Sequence, residues 1–140
     1  MLVVDDHELN LRLVERVLVE RGFDVECASS GPEALAAVDR CRPDLIVLDV
    51  VMPKMSGLEV LEQLRSSPRL ATIPVIMLTA RSDDEDVLAG YRAGADYFIA
   101  KPLVPRQLLY GVGLVLGREL PAKQGDPVPT GRASRSPGRD

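Results

Sequence analysis

Five short runs that are candidate strands alternate with helix-like segments along this chain, and this alternation restricts the fold more than any other feature. The runs cover residues 2–4, 24–28, 45–48, 75–78 and 97–100, and all except 24–28 are apolar. The segments after them have apolar residues at helical spacing, the first over 9–21. Three of them open with the Ser-x-x-Glu pattern of a capping box, at Ser30, Ser56 and Ser82. Strands that alternate with helices form a parallel sheet through right-handed crossovers. We therefore predict an α/β fold: a five-stranded parallel sheet with five helices on both faces.

The composition is that of a globular domain in a reducing compartment. Of 140 residues, 46% are hydrophobic and 27% are charged, and no apolar run approaches the roughly 20 residues that cross a bilayer. The chain does not open with a basic segment followed by an apolar one, as secretory signals do. The two cysteines, Cys27 and Cys41, are too few for a disulfide framework. We expect reduced thiols, a cytoplasmic location and no membrane partner.

Charge and composition both change near residue 120. The net charge is −4 overall, and it is −6 over the first 120 residues because residues 121–140 carry +2. Such an acidic region is poorly suited to binding nucleic-acid phosphates, so we expect no direct nucleic-acid binding by it. The last twenty residues contain four prolines, three glycines and only one large aliphatic residue, Val128, so they cannot form a core. The sequence predicts a domain over 1–118 and a linker or disordered tail over 119–140.

Polar residues follow the apolar runs at the points where four predicted strands end. Asp5 and Asp6 follow the first run, Asp49 the third, Thr79 the fourth and Lys101 the fifth. A lone Asp after a strand is usually a turn residue, but the carboxyl ends of parallel strands line one crevice. Five such residues together therefore predict a site.

The predicted site contains three carboxylates, and this indicates a cation. Two carboxylates about 4 Å apart repel by roughly 4 kcal/mol at an effective dielectric constant near 20. A divalent cation would remove that repulsion, and an all-oxygen donor set without His or Cys favours magnesium. A carboxylate is also a nucleophile that can accept a phosphoryl group. His7, the only histidine, is interpreted as an exposed turn residue outside the site.

Several motifs resemble the receiver domains of two-component response regulators over residues 1 to about 118. They are the Asp5-Asp6 pair after the first run, Asp49 after the third, Met52-Pro53 with Gly57, Thr79-Ala80 after the fourth run, and Lys101-Pro102 after the fifth. All occur in the order and at the spacing of that family. The resemblance implies a flavodoxin-like strand order, 2-1-3-4-5.

The resemblance also assigns the metal and acceptor residues. It implies that Asp49 is the phosphoacceptor, with a sensor histidine kinase or a histidine phosphotransfer protein as the donor. Asp6, Asp49 and the backbone carbonyl of Val51 are the implied direct Mg²⁺ ligands. Asp5 resembles the acidic residue that reaches the metal through water.

Four further residues match positions that read the phosphoryl group. Lys101 resembles the ammonium that pairs with Asp49, and Thr79 the hydroxyl that binds a phosphoryl oxygen. Ala80 resembles the small residue that leaves room for phosphate. Phe98, three residues before Lys101, has the position of the switch aromatic, which is more often Tyr in this family.

These assignments predict a phosphorylation-dependent switch that changes the surface of the fourth helix, fifth strand and fifth helix. It would catalyse only its own phosphorylation and slow dephosphorylation. An output domain, a target protein and a homodimer all stay open as partners. Two other functions were considered: a turnover phosphatase, disfavoured because Val51 stands where such enzymes have a second carboxylate, and a docking module, which would have lost a pocket residue.

Overall fold

The computed structural model of the chain describes residues 1–79 and 90–117, and these form a parallel sheet with helices on both faces. The strands are β1 (Leu2–Val4), β2 (Glu26–Ala28), β3 (Ile46–Asp49), β4 (Val75–Thr79) and β5 (Tyr97–Ala100). The helices with described bounds are α1 (Glu8–Val19), α2 (Gly31–Arg40), α3 (Gly57–Ser66) and α4 (Pro105–Leu116). Residues 90–93, which precede β5, are also helical and belong to the predicted fourth helix. The helix labelled α4 is thus the predicted fifth helix. None of the described helices is long and apolar enough to cross a membrane.

The sheet has the predicted strand order, β2-β1-β3-β4-β5, and every pair is parallel. Alternate strand residues face opposite sides, so the sheet divides the core into two layers. Val4, Leu48 and Met77 pack with α2 and α3 on one face. Val3 and Val47 pack with α1 and α4 on the other. The continuous apolar runs reflect burial on both faces, as predicted.

Two element boundaries differ from the sequence prediction. β2 begins at Glu26, two residues later than predicted, because β1 has only three residues and its first, Leu2, pairs with Glu26. α1 was predicted over 9–21 but ends at Val19, after which Gly22 adopts a φ of +91°. The helix predicted to open at residue 82 begins outside the described residues, as does the predicted tail over 119–140.

The caps of α2 and α3 show how far the capping-box prediction holds. Ser56 accepts a hydrogen bond from the backbone N–H of Glu59, and the Glu59 carboxylate accepts one from Ser56, which completes the box. In α2 the Ser30 hydroxyl oxygen accepts from the Glu33 N–H, but the Glu33 carboxylate accepts from the N–H of Ser29 instead. Both helices therefore begin where predicted, and only α3 has the reciprocal bond of a capping box.

Arg65, near the end of α3, binds the strands at the amino-terminal end of the sheet. Its guanidinium donates two hydrogen bonds to the carbonyl of Gly94 (3.0 and 2.8 Å) and one to that of Ile73 (2.7 Å). It also pairs with Asp96, whose carboxylate accepts from the Val75 N–H. The side chain is only 19% exposed. Arg65 thus holds together the approaches to β4 and β5.

Arg65→Lys is expected to lower the free energy of unfolding by about 2 kcal/mol, because an ammonium cannot reproduce the planar set of donors. The exposed pair Arg69–Asp39 (2.9 Å) offers a matched control, since Arg69→Lys should change stability by less than about 0.5 kcal/mol. Urea denaturation of both variants measures the difference. Equal effects would show that Arg65 is an ordinary surface cation.

Candidate functional site

The carboxyl ends of β1, β3, β4 and β5 bring the predicted polar residues to one edge of the sheet. Asp5 directly follows β1, Asp49 is the last residue of β3, Thr79 is the last residue of β4, and Lys101 directly follows β5. The Lys101 N–H donates to the Thr79 carbonyl (2.7 Å), which extends the pairing of β4 and β5 to the site. Asp5, Asp49 and Thr79 are buried, with exposed fractions of 0%, 3% and 4%.

Lys101 lies between two buried carboxylates. Its Nζ is 3.2 Å from Asp5 Oδ2 and 3.2 Å from Asp49 Oδ1. The other oxygen of Asp5, Oδ1, accepts a hydrogen bond from the His7 N–H (2.9 Å) and fixes the turn between β1 and α1. One ammonium thus faces two negative charges inside the protein, which leaves negative charge that Lys101 cannot neutralise.

Burial and the neighbouring Asp5 carboxylate raise the pKa of Asp49 from 3.8 to about 6, and Lys101 opposes this increase. Burial is the larger cause because it removes water from the charged form. Asp49 is therefore a more basic carboxylate than an exposed aspartate, yet it is still mostly ionised at neutral pH. A carboxylate of this kind can act as a nucleophile toward phosphorus.

The connection from β3 to α3 holds Asp49 by its backbone. The Val50 N–H donates to the Leu78 carbonyl (2.9 Å), and the Gly57 N–H donates to the Val50 carbonyl (2.8 Å). A Cβ at residue 57 would overlap the carbonyl oxygen of Asp49, so only glycine allows α3 to begin this close to the acceptor strand. This close approach explains the Gly57 of the sequence motif.

Four residues could hold a cation together. One ligand atom from each of Asp5, Asp6, His7 and Asp49 lies within 4.8 Å of the others. Asp6 Oδ1 is buried and accepts no hydrogen bond from any described residue. A metal ion bound at this oxygen would satisfy it. The carboxylate oxygens fit Mg²⁺, and Asp5, Asp6 and Asp49 are the residues that would hold it. When bound, it would neutralise charge on the carboxylates and on an incoming phosphoryl group.

His7 lies beside the carboxylates of the predicted all-oxygen donor set, so the structure adds its imidazole to the groups that could hold a cation. His7 is exposed (69%), as predicted, but its Nδ1 lies 3.3 Å from Asp6 Oδ1 and 3.6 Å from Asp5 Oδ1. The sequence signal was only its position directly after the acidic pair. The orientation of its ring depends on the turn, which spacing alone does not reveal.

The remaining predicted site residues lie at different places. Phe98 is partly buried and packs against the α2/α3 layer, while its neighbour Tyr97 packs against the α1/α4 layer, as the alternation of β5 predicted. Val51 follows β3 with an exposed side chain. Ala80 lies outside the described residues.

Comparison with known proteins identifies the family. The sequence model described as "Response regulator receiver domain" matches residues 1–112. This chain belongs to the response regulator receiver domain family. A receiver domain is a signalling switch of two-component systems rather than a turnover enzyme, and the family binds Mg²⁺ at an acidic pocket.

Solved receiver domains resemble this one over most of its length. The chemotaxis response regulator CheY4 of Vibrio cholerae is 35% identical, with a TM-score of 0.78, over 81% of this chain and 95% of that one. A CheY-like response regulator receiver domain protein from Methanospirillum hungatei JF-1 is 32% identical, with a TM-score of 0.77, over 83% and 91% of the two chains.

Longer regulators match the same region. The alkaline phosphatase synthesis transcriptional regulatory protein PhoP of Bacillus subtilis is 42% identical over 118 residues, which are 84% of this chain and 48% of PhoP. The response regulator MprA of Mycobacterium leprae is 42% identical over 121 residues, 86% of this chain and 52% of MprA. The receiver domain thus spans about half the length of these two relatives.

Asp49→Asn should stabilise the domain at pH 7 in the absence of divalent cations. The pKa of Asp49 is about 6 in the folded protein and 3.8 in the reference state. Protonation of Asp49 therefore stabilises the fold fully below pH 3.8, and this stabilisation is lost as the pH rises through about 6. Asparagine retains it, so the variant should gain up to about 3 kcal/mol at pH 7 and nothing at pH 3.5.

Urea denaturation of both proteins with a chelator, from pH 3.5 to 7.5, measures this difference. Asp39→Asn, which removes an exposed carboxylate, controls for the loss of one surface charge. A pH-independent difference between wild type and Asp49→Asn would contradict the electrostatic origin of the effect.

Proposed function

We propose that Asp49 accepts a phosphoryl group and that this modification switches the receiver domain between two states. The observation that supports the proposal is the arrangement of Asp49: a buried carboxylate 3.2 Å from Lys101 and next to Asp5. Its raised pKa strengthens it as a nucleophile. An aspartate with only a structural role would not be expected here, because burying a carboxylate beside a second one lowers the stability of the fold.

The proposed transfer is an in-line displacement at phosphorus. An Asp49 carboxylate oxygen forms a bond to the phosphorus of a phosphohistidine, the P–N bond breaks, and the leaving imidazole takes up a proton. The product is an acyl phosphate, which water later hydrolyses to inorganic phosphate and the free carboxylate. Lys101 can follow the charge from the carboxylate to the phosphoryl oxygens, since its Nζ already lies beside Asp49.

In this proposal Thr79 and Phe98 read the modification. Thr79 ends β4 next to Asp49 on β3, and its hydroxyl would bond a phosphoryl oxygen. Phe98 pairs with Met77 across β4 and β5, on the same face as Thr79. Its ring lies against Tyr91, with centroids 5.0 Å apart, and a Cβ at Gly90 would overlap it. A movement of Phe98 would therefore change the surface of residues 90–93 directly, and that of α4 through β5, against which α4 packs.

The proposed partners follow from the family. A sensor histidine kinase or a histidine phosphotransfer protein would donate the phosphoryl group, and an output domain or a target protein would bind the altered surface. Cys27 and Cys41 are both free thiols, which supports a cytoplasmic location for these events. The acidic charge of the domain supports protein partners rather than direct contact with nucleic acid.

Acetyl phosphate with Mg²⁺ should phosphorylate wild type once, and Asp49→Asn should abolish the labelling. Asp44→Asn is the matched control, because Asp44 precedes the same strand at its opposite end and is exposed. Asp6→Asn should slow the labelling and weaken Mg²⁺ binding by tenfold or more. Intact-protein mass spectrometry measures the phosphate. Full labelling of Asp49→Asn would place the acceptor elsewhere.

Phe98→Ala should retain labelling at Asp49 but remove the phosphorylation-dependent shifts of the amide NMR signals of residues 90–93 and α4. The ring is the contact between β5 and residues 90–91, and burying such a ring is worth a few kcal/mol, enough to shift a two-state population. Phe98→Tyr should retain the coupling with a lower resting active fraction. Tyr97→Phe, which removes a hydroxyl on the opposite face, is the control; shifts that persist in Phe98→Ala would refute the coupling route.

A further inference from the structure

We infer that His7 is a ligand of the cation site and that its imidazole shifts the preference of this particular receiver domain from Mg²⁺ toward divalent transition-metal ions. The inference depends on the proposed function only for the position of the site, since it takes Asp6 and Asp49 as ligands. It adds a nitrogen donor to a set of residues otherwise limited to oxygen.

The turn between β1 and α1 places the imidazole next to the carboxylates. Only three residues, Asp5, Asp6 and His7, connect the strand to the helix. The hydrogen bond from the His7 N–H to Asp5 Oδ1 (2.9 Å) closes this turn. As the residue that caps α1, His7 forms no side-chain hydrogen bond to the helix. Its ring is therefore not committed to capping and is available to a ligand.

The distances agree with a shared coordination sphere. In an octahedral site with bonds of about 2.1 Å, neighbouring ligand atoms lie about 3 Å apart and opposite ones about 4.2 Å apart. His7 Nδ1 lies 3.3 Å from Asp6 Oδ1 and 3.6 Å from Asp5 Oδ1, and all four candidate ligand atoms lie within 4.8 Å of one another. Small rotations of the Asp6 and His7 side chains, which are the more exposed of the four, would bring these atoms to one ion.

Asp6 Oδ1 provides a second observation. It is buried and accepts no hydrogen bond from the residues described, although His7 Nδ1 is only 3.3 Å away. This separation is close to that of neighbouring ligand atoms around one ion, so a cation could bind both atoms. An exposed ion pair between them would add little stability.

Ligand chemistry sets the metal class. Mg²⁺ prefers oxygen ligands and gives up its water reluctantly. Imidazole suits Zn²⁺, Ni²⁺ and Cu²⁺, and affinity for mixed nitrogen and oxygen ligands rises along the first transition series. His7 should therefore strengthen the binding of Co²⁺, Ni²⁺ or Zn²⁺ much more than that of Mg²⁺.

Calorimetric titration of the untagged 140-residue chain with Mg²⁺ and with Co²⁺ tests the inference. In His7→Asn, the affinity for Co²⁺ relative to that for Mg²⁺ should fall by about tenfold or more, since loss of a residue that only orients a metal ligand already costs about tenfold to a hundredfold. Asparagine is a favourable helix cap, so α1 should be preserved. Glu8→Gln is the control for a nearby charge, because Glu8 is exposed and paired with Arg12, and it should leave the ratio unchanged.

Proton NMR of the Co²⁺ complex gives a direct readout, because the chain has a single histidine. Strongly shifted imidazole signals in wild type that disappear in His7→Asn would support coordination. Their absence from wild type, an unchanged ratio, or an equal loss of affinity for both ions would overturn it. Normal labelling of Asp49 without shifted signals would refute only the role of His7, whereas shifted signals without labelling would refute only the proposed function.

Discussion

The burial of Asp5 and Asp49 on either side of Lys101 is the constraint on which the rest of this structure depends. Three strands must end at the same level of the sheet for these side chains to meet, since Lys101 Nζ lies 3.2 Å from an oxygen of each carboxylate. α3 must also begin close to Asp49, which requires glycine at residue 57. The topology of the sheet and the start of α3 are thus both coupled to one electrostatic arrangement.

That arrangement is poor for stability and well suited to a switch. A single ammonium cannot neutralise two buried carboxylates and the adjacent Asp6, and burial, together with the Asp5 charge, raises the pKa of Asp49. A bound divalent cation would offset this negative charge, whereas a phosphoryl group on Asp49 would add to it. Local conflicts of this kind are expected where function rather than stability determined the residues.

The sequence predicted the fold and the site edge because both depend on where apolar runs stop. Each predicted strand that reaches the site is followed by, or ends in, a polar residue: Asp5, Asp49, Thr79 or Lys101. Parallel strand topology then brings these residues to the same edge of the sheet. Features set by side-chain direction were harder to predict. Spacing could not show that the His7 ring turns toward the carboxylates.

Other features were missed because their partners have no side-chain signal. Arg65 binds mainly backbone carbonyls, so it looked like any basic residue of an exposed helix. Gly111 lies in the middle of α4, and a Cβ there would be 2.9 Å from the Tyr97 ring. Helix propensity describes an isolated helix, and it does not include the close approach of α4 to β5.

The anchoring of β5 restricts how this edge strand can carry a signal. Arg65 holds its approach through Gly94 and Asp96, and Lys101 fixes its other end to Thr79 and the two carboxylates. A strand held at both ends cannot slide along its neighbour without breaking charged contacts. The remaining freedom is rotation of side chains on a stationary backbone. A signal carried by β5 would therefore be a change of side-chain rotamer and not a displacement of the strand.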